Sequence, residues 1–242
     1  MKLLFVRHAD PDYANDSLTP AGRLEAQALA DRLIHEDITE FYVSPLGRAK
    51  ETASYTLNRL NRTATEYSWL QEFPARAARP DLHGRRSVAW DWLPEDWTAD
   101  PAFIDPNHWY DHPVMQEAHV KEIYDEAGEA FFQLLAEHGY VHENNLFRVE
   151  KENHDTLCFF CHFGIEAALL SHLFHMSPMY LWHNFVALPS SVTLVISEER
   201  QQGKASFRTS YFGDLSHLYA KGLSPSFSAR FCECWSDDTR HV

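Results

Sequence analysis

The stretch LLFVRHADPD, residues 3–12, joins an apolar run to a charged pair, because Arg7 and His8 follow directly after its last valine. A run that is apolar at every position is typical of a central strand in a parallel sheet that helices cover on both faces. The stretch TLCFFCHFG, residues 156–164, repeats the pattern and delivers His162. Both runs therefore predict buried strands that carry a histidine at the carboxyl end.

Further strand-like runs alternate with segments of helical periodicity. The predicted strands are Lys2–Val6, Glu40–Val43, Thr156–Cys161, Ser191–Ile196 and Ala205–Phe212. The predicted helices start at Thr19-Pro20, start at Ser44-Pro45, span Val120–His138 and begin near Gly164. This alternation predicts an α/β protein, a three-layer α/β/α sandwich with a mostly parallel central sheet.

The length of 242 residues suits one domain, since α/β folds of this size are often single domains, so we expect one domain over residues 1–242. Residues 74–118 interrupt the alternation with six prolines and four of the seven tryptophans. Proline removes a backbone donor and breaks regular elements. We predict an irregular insertion that covers the active-site end of the sheet, either as a plain covering loop or as a substrate lid.

The formal net charge of −14 argues against nucleic acid as a partner, because phosphates attract basic surfaces. It does not exclude a small anionic substrate, since a local arginine pocket can outweigh a distant, screened field. No apolar run approaches the ~20 residues of a membrane span, and the first residues lack a secretory pattern. We expect a soluble, cytoplasmic protein without a membrane partner, and the oligomeric state stays open.

The four cysteines are too few for a disulfide framework in a chain of this size. Cys158 and Cys161 lie inside a predicted strand, which indicates buried thiols, and Cys232 and Cys234 are expected to be reduced thiols near the C-terminus. Fifteen histidines raise the hypothesis of a metal site. No spacing matches a zinc pattern, so we predict neither a metal nor a cofactor.

Chemistry-bearing residues converge on one predicted edge of the sheet. Ligands of open α/β sheets bind beyond the carboxyl ends of the strands, where Arg7, His8 and His162 lie. Ser44-Pro45 also follows a strand, and the helix that it opens carries Arg48 one turn in. Guanidinium forks match phosphoryl oxygens, and a helix N-terminus favours an anion. The residues therefore predict a pocket for a phosphoryl group.

Five motifs, in order along the chain, resemble those of the histidine phosphatase superfamily, also called the phosphoglycerate mutase-like family. They are Arg7-His8-Ala9-Asp10, SLTPAGRLEAQALADRL at 17–33, SPLGRAKETA at 44–53, CHFG at 161–164 and FGDLSHL at 212–218. The resemblance leaves out the insertion and the extreme C-terminus. It implies a phosphoglycerate mutase-like fold and a phosphoric monoester hydrolase of the histidine acid phosphatase type.

The resemblance implies that His8 is the nucleophile, which becomes a phosphohistidine that water then hydrolyses. It also implies that Arg7, Arg48 and His162 hold the phosphoryl group of a small phosphorylated metabolite. No metal is required in this scheme, because the arginines neutralise the charge of the transferring group. Asn15 is a further candidate phosphate ligand, since it lies near the place of an asparagine that mutases of the superfamily carry.

The leaving alcohol needs a proton, and one branch of the family supplies it from a glutamate after the third strand. Glu72, in WLQEF, lies at that position. A carboxyl that donates a proton near neutral pH needs a raised pKa, from burial or from nearby negative charge. Asp10 and Asp81 are the alternative proton donors.

Substrate recognition is expected from the start of the insertion. Arg76, Arg79 and Arg85 could bind a second anionic group, or they could form a solvated basic loop. Trp90 could contact the substrate, or it could pack the core of the insertion with the other tryptophans.

Two other functions compete with hydrolysis. Mutases of the superfamily usually carry a tryptophan-asparagine stretch and an F-T-G-W element, and PDYANDSLTPAG, residues 11–22, has neither. A module that binds phosphorylated ligands without turnover would lack the nucleophile or a phosphate-binding side chain, whereas both histidines and both arginines are present. The sequence therefore favours a phosphatase.

Overall fold

Strands and helices alternate along residues 1–228 and 230–239, which this computed structural model describes. The strands are β1 (Lys2–Arg7), β2 (Pro11–Asp12), β3 (Ser17–Leu18), β4 (Glu40–Val43), β5 (Thr65–Glu66), β6 (Arg76–Ala78), β7 (Arg86–Val88), β8 (Tyr140–Glu143), β9 (Leu146–Val149), β10 (Thr156–Cys161), β11 (Val192–Gln201) and β12 (Lys204–Asp214). The helices are α1 (Pro20–Leu33), α2 (Gly47–Leu60), α3 (Pro94–Ala99), α4 (Pro113–Glu117), α5 (Val120–Glu137), α6 (Phe163–Phe174), α7 (Pro178–Asn184) and α8 (Ser216–Tyr219). Within these described ranges, no helix is long and apolar enough to cross a bilayer.

An eight-stranded sheet with the order β5-β4-β10-β1-β11-β12-β9-β8 forms the centre of the fold. The strands from β5 to β1 pair in parallel, and the pairs from β1 to β8 are antiparallel. Six of the eight strands consequently run in one direction, which confirms the predicted mostly parallel sheet. The hairpin of β8 and β9 had no counterpart among the predicted strands.

Both faces of the central strands are buried, which confirms the three layers. On one face, Phe5 and Phe159 stack with ring centroids 5.1 Å apart and contact α5 and α6. On the other face, Leu4 and Phe160 pack against α1 and α2. Successive side chains of a strand point to opposite faces, so a run without polar residues fills two cores at once.

Of the two helix starts predicted at Thr19-Pro20 and Ser44-Pro45, the structure confirms only the first. α1 begins as expected, with Pro20 in its first turn and the Thr19 hydroxyl accepting the Gly22 N–H at 3.0 Å. The start of α2 at Ser44-Pro45 was wrong, because the helix begins at Gly47. The Ser44 hydroxyl accepts an N–H from the bend before the helix and also contacts a histidine ring, so it does not cap α2.

The insertion of residues 74–118 contains only short elements in the described structure: the β6–β7 hairpin, α3, α4 and two 3₁₀ turns. Trp97 and Trp109 pack against α7, and Trp90 packs against Phe163 of α6. Trp109 is fully buried, with its ring centroid 5.5 Å from that of Trp182, and the backbone N–H of Trp92 donates to His183 Nε2 at 3.1 Å. Packing of this kind explains most of the aromatic content of the segment.

The cysteines are free thiols, as expected from their number. Cys158 and Cys161 are buried in β10, and Cys232 and Cys234 are exposed. Burial raises the pKa of both β10 thiols, so they stay protonated and inert.

Acid is expected to destabilise the fold through its buried histidines, of which His172 is a clear case. Its ring stacks on Tyr124 with 3.7 Å between centroids, and Nε2 lies 3.0 Å from the Tyr124 carbonyl oxygen. Burial lowers the pKa of His172 from 6.5 to about 4. The unfolded chain therefore takes up a proton first as the pH falls. The neutral His172 therefore contributes on the order of 3 kcal/mol to the free energy of unfolding. This contribution is fully present above pH 6.5 and is lost as the pH falls toward 4.

Chemical denaturation at pH 7 and pH 4.5 measures this loss. His172→Gln should lose less stability between the two pH values than the wild type, and His83→Gln, at an exposed hairpin position, should lose as much as the wild type. An equal loss in the wild type and in His172→Gln would contradict the prediction.

Candidate active site

Two histidines meet at the carboxyl ends of the adjacent parallel strands β1 and β10. The ring centroids of His8 and His162 lie 5.0 Å apart, and both residues are almost fully buried. Burial lowers the pKa of each ring well below 6.5, and the neighbouring positive charge of Arg7 and Arg48 lowers both further. Both imidazoles are therefore neutral at physiological pH.

The tautomer of His8 follows from one contact. Its Nδ1 lies 2.8 Å from the Ala9 carbonyl oxygen, which can only accept, so Nδ1 carries the proton and Nε2 keeps a free lone pair. The Ala9 N–H donates to the Thr52 hydroxyl at 3.0 Å, and this hydroxyl donates to the Arg48 carbonyl oxygen. These hydrogen bonds join the Ala9 backbone to α2, and the Ala9 carbonyl in turn holds the His8 ring in its orientation.

The His162 ring is held by Ser44 at the end of β4. Ser44 Oγ lies 2.8 Å from His162 Nε2, and it also accepts the Leu46 N–H at 3.2 Å. His162 Nδ1 has no hydrogen-bond partner among the described residues. Ser44 therefore orients the second histidine and leaves its other nitrogen available.

The two arginines are buried beside the histidines. Arg7 is 4 % exposed and donates through Nη1 to the Ala187 carbonyl oxygen at 2.6 Å. Arg48 is 9 % exposed and packs under the exposed ring of Tyr13, with 5.4 Å from its Cζ to the ring centroid. The Nε atoms of both arginines have no partner in the described part of the chain. Buried donors are normally satisfied, so these groups suit an anion that offers several oxygen acceptors.

The N-terminus of α2 was predicted to favour the phosphoryl anion. In the structure, the carboxylate of Asp16 lies there instead. This carboxylate accepts the Gly47 N–H and an Arg48 Nη1–H, both at 2.6 Å. The first donor of the helix is therefore already paired. Asp16 fixes the Arg48 guanidinium, and its own pKa is lowered by hydrogen bonds from both groups.

Glu72 and Trp90 reach the same edge of the sheet above α6. Glu72 Oε1 accepts the N–H groups of Phe73 at 2.9 Å and Ile165 at 3.3 Å. Burial raises the pKa of the Glu72 carboxyl, and Arg7 opposes this effect. A Cβ on Gly164 would lie 2.5 Å from Glu72 Oε1 and 2.8 Å from Trp90 Nε1, so both side chains lie against Gly164.

Other predicted site residues lie elsewhere. Asn15 is exposed and donates its amide to Asp12 at 2.8 Å. Arg79 is buried and forms ion pairs with Asp81 and Asp91, both at 2.8 Å, so its charge is neutralised within the hairpin.

Arg76 and Arg85 are exposed on this hairpin, and Arg85 Nε donates to the Leu82 carbonyl oxygen. Among the alternative acids, Asp81 is held by Arg79. Asp10 accepts hydroxyl hydrogen bonds from Thr19, Ser226 and Ser228.

Sequence reasoning missed several polar residues around the two histidines and the two arginines. Ser44 was predicted as a helix cap, and Thr52 lies within the SPLGRAKETA motif, where it was given no role of its own. Asp16 lies in a turn with no motif of its own. Glu166, which is 1 % exposed on the first turn of α6, gives no sequence signal, because a polar residue on a helix is usually solvated.

The fold and the paired histidines define a phosphoglycerate mutase-like α/β protein. The chain belongs to the histidine phosphatase superfamily, branch 1, whose family model matches residues 3–208. No match was found among curated proteins.

Solved structures of similar fold include phosphatases. A mutant phosphoserine phosphatase from Entamoeba histolytica in complex with phosphoserine has a TM-score of 0.56 at 18% identity, covering 90% of this chain and 98% of the other. The same enzyme with 3-phosphoglyceric acid has a TM-score of 0.55 at 17% identity, with the same coverages. A mycobacterial glucosyl-3-phosphoglycerate phosphatase has a TM-score of 0.55 at 16% identity, covering 88% and 98%.

Proposed function

We propose that the protein is a metal-independent phosphomonoesterase that hydrolyses a small phosphorylated metabolite through a phosphohistidine on His8. The observation that carries the proposal is the state of His8, which is a buried, neutral imidazole with its Nε2 lone pair free beside two guanidiniums. Membership of the histidine phosphatase superfamily and the phosphatases among proteins of similar fold support it.

In the first step, the lone pair of His8 Nε2 forms a bond to phosphorus while the bond from phosphorus to the substrate oxygen breaks. The leaving oxygen keeps the electron pair and takes a proton from Glu72, which the raised pKa of that carboxyl keeps available. Arg7 and Arg48 neutralise the oxygens of the transferring group, and the neutral His162 donates a hydrogen bond to one of them through its unpaired Nδ1.

In the second step, water attacks the phosphorus of the phosphohistidine and gives a proton to the Glu72 carboxylate. The bond between phosphorus and nitrogen breaks, the electron pair returns to His8 Nε2, and inorganic phosphate leaves. The guanidiniums supply the positive charge that metal ions supply in other phosphoryl-transfer sites.

Residues 74–118 are proposed to cover the active-site end of a single domain and to carry most of the specificity. Trp90 supports this, because its Nε1 and Glu72 Oε1 both lie against Gly164 at the start of α6. Arg76 and Arg85, exposed on the β6–β7 hairpin, are the candidates for a second anionic group of the substrate. Phosphoserine and 3-phosphoglyceric acid, bound by a protein of the same fold, are suitable first substrates to test.

The test is turnover of a chromogenic aryl phosphate in the presence of a chelator. Release of phosphate supports the proposal. Tight phosphate binding without release would favour a binding module, and interconversion of phosphoglycerates that depends on a bisphosphate primer would favour a mutase.

Gly164→Ala is expected to damage proton donation, because the added methyl group displaces the carboxyl of Glu72. A displacement of about 1 Å is expected to lower the turnover of alkyl phosphates on the order of 10²-fold. The turnover of aryl phosphates should fall less, since a phenolate leaves without being protonated. Steady-state kinetics on both substrate classes measure the difference, with thermal unfolding as the check that the variant folds. Equal slowing of both classes would contradict the expected displacement of Glu72.

A further inference from the structure

The C-terminal segment of residues 224–228, called the strap below, is docked on the loop that follows β1. Pro225 is buried, and the Ser226 hydroxyl donates to Asp10 Oδ1 at 2.5 Å. The Ser228 hydroxyl donates to the same oxygen at 3.0 Å, and the Ser228 backbone N–H donates to Ser226 Oγ at 3.1 Å. Two serines of the strap thus converge on one carboxylate close to the nucleophile.

Asp10 is held between the strap and α1. Its second carboxylate oxygen, Oδ2, accepts the Thr19 hydroxyl at 2.7 Å, and its carbonyl oxygen accepts the Thr19 N–H at 3.0 Å. Among the described residues, the hydroxyls that reach Oδ1 both come from the strap. A partly buried carboxylate that loses its donors must be rehydrated, so the position of Asp10 depends on the strap.

The peptide group that joins Ala9 to Asp10 connects this contact to His8. Its C=O accepts the hydrogen bond from His8 Nδ1 at 2.8 Å, and its N–H donates to Glu25 Oε2 at 2.8 Å. A hydrogen bond at one end of the group polarises it and strengthens the bond at the other end. Because a peptide group is planar, a rotation of Asp10 also turns the Ala9 carbonyl oxygen away from the His8 ring.

Glu25 is a second acceptor that the loop and the strap share. It is 3 % exposed on the buried face of α1. Burial raises the pKa of Glu25 to about 7, and hydrogen bonds from the backbone N–H groups of Asp10 and Ser226 oppose this rise. Ser226 therefore acts on both of the carboxyl groups that flank the peptide between Ala9 and Asp10.

We propose that Ser226 and Ser228 are positioning residues that hold this peptide and thereby keep His8 in the orientation and tautomer that attack phosphorus. The proposal rests on the phosphatase function. It adds a role for a segment beyond the part of the chain that the family model matches, which ends at residue 208.

Loss of the strap contacts is expected to affect attack on phosphorus and to leave phosphate binding in place. The groups proposed to hold the phosphoryl oxygens have their own partners elsewhere in the fold: Arg7 with Ala187, Arg48 with Asp16, and His162 with Ser44. The hydrogen bonds of the strap lead to the His8 ring instead. A variant that lacks them should therefore bind the anion normally and turn it over slowly.

The double variant Ser226→Ala/Ser228→Ala removes both hydroxyl donors. Its kcat/KM for an aryl phosphate is expected to fall about tenfold, less than the 10²-fold that a displacement of about 1 Å costs. Its affinity for inorganic phosphate, measured by calorimetry, should stay close to that of the wild type. The double variant Ser226→Thr/Ser228→Thr keeps both hydroxyls and should restore kcat/KM. Ser224→Ala, at an exposed position of the strap, should behave as the wild type.

Nuclear magnetic resonance of protein labelled with ¹⁵N-histidine measures the tautomer of His8. The wild-type signal of His8, assigned by its absence in His8→Ala, should report a proton on Nδ1 alone. In the double alanine variant it should shift toward a mixture of the two neutral tautomers. A purely structural role for the strap would not produce this shift. The measurement needs no turnover, so it tests the proposal even if no monoester is hydrolysed.

An unchanged His8 signal in the folded double alanine variant would overturn the proposal, whatever the value of kcat/KM. A loss of phosphate affinity as large as the loss of kcat/KM would also overturn it, because the strap would then support the whole site. Absence of turnover in the wild type, together with the expected shift of the His8 signal, would refute the phosphatase function and support the role of the strap.

Thermal unfolding checks that the double alanine variant folds. If it does not fold, Ser228→Ala is the variant to measure, because it leaves the Ser226 donor on Asp10 in place. The same changes in kcat/KM and in the His8 signal are then expected, at smaller size. A folded Ser228→Ala with the kinetics and the His8 signal of the wild type would refute the role of Ser228.

Discussion

His8→Ala is expected to abolish turnover, with a loss on the order of 10⁴-fold or more, because the variant has no atom that can form a bond to phosphorus. The ring contributes one backbone contact, to the Ala9 carbonyl oxygen, so the fold should survive its removal. Acid-quench mass spectrometry of the wild type during turnover should find a phosphate on His8. The acid quench must be brief, since phosphohistidine is labile in acid.

His154→Ala is the matched control, because it removes an exposed imidazole just before β10, at the edge of the sheet opposite the two histidines. Its kinetics should equal those of the wild type, and His8→Ala should unfold at a similar temperature to both. Full activity in His8→Ala would remove the nucleophile from the proposed mechanism. Phosphate found on another residue would move the chemistry to that residue.

Glu72→Gln is expected to slow alkyl phosphates by about 10²- to 10⁴-fold, the usual contribution of a general acid. Aryl phosphates should be slowed much less, because a phenolate needs no proton to leave. The raised pKa of Glu72 also sets a direction with pH: turnover of alkyl phosphates by the wild type should decline as the pH rises through that pKa. In Glu72→Gln, this decline in the turnover of alkyl phosphates with rising pH should be absent.

The contrast with Asp81, one of the two alternative acids, tests the assignment. Asp81 is held in an ion pair with Arg79, so Asp81→Asn should keep the preference between alkyl and aryl substrates. Glu72→Gln that slows both substrate classes equally would exclude Glu72 as the proton donor. A substrate preference that changes in Asp81→Asn would assign the role to Asp81.

Sequence patterns predicted the centre of the fold well, because burial on both faces leaves a strong signal. β4 and β10 have the predicted bounds, and β1 extends one residue further, to Arg7. The hairpin of β8 and β9 was missed, since its residues 140–149 mix polar and apolar side chains without a clear period. The start of α2 was placed two residues early, because Ser44 has the residue type of a cap but binds His162 instead.

The pocket was predictable only where residues follow strand ends in a recognisable order. The structure brings Arg7, His8, Arg48 and His162 together, and this follows from the adjacency of β1, β10 and β4. Contacts between distant turns carry no local signal, which is why the pairing of Asp16 with Arg48 was not foreseen.

The basic residues of the insertion illustrate the same limit. Composition could not tell that Arg79 is paired within the hairpin, whereas Arg76 and Arg85 are exposed. Partner choice depends on the folded path of the chain, and a count of charges does not record that path.

The place of β1 in the sheet also governs when the protein can fold during synthesis. β1 is made well before its neighbours β10 and β11, which end at residues 161 and 201. At translation rates of about 5–20 residues per second, the apolar strand waits roughly 10–40 s for its second neighbour. Over this interval the apolar residues LLFV of the nascent chain have no partner strand on that side. The hydrogen bond from Arg7 to the Ala187 carbonyl oxygen also forms late, because residue 187 is made long after β1. Ribosome-bound chaperones are therefore expected to engage this chain once β1 emerges and to release it only after β11 has emerged.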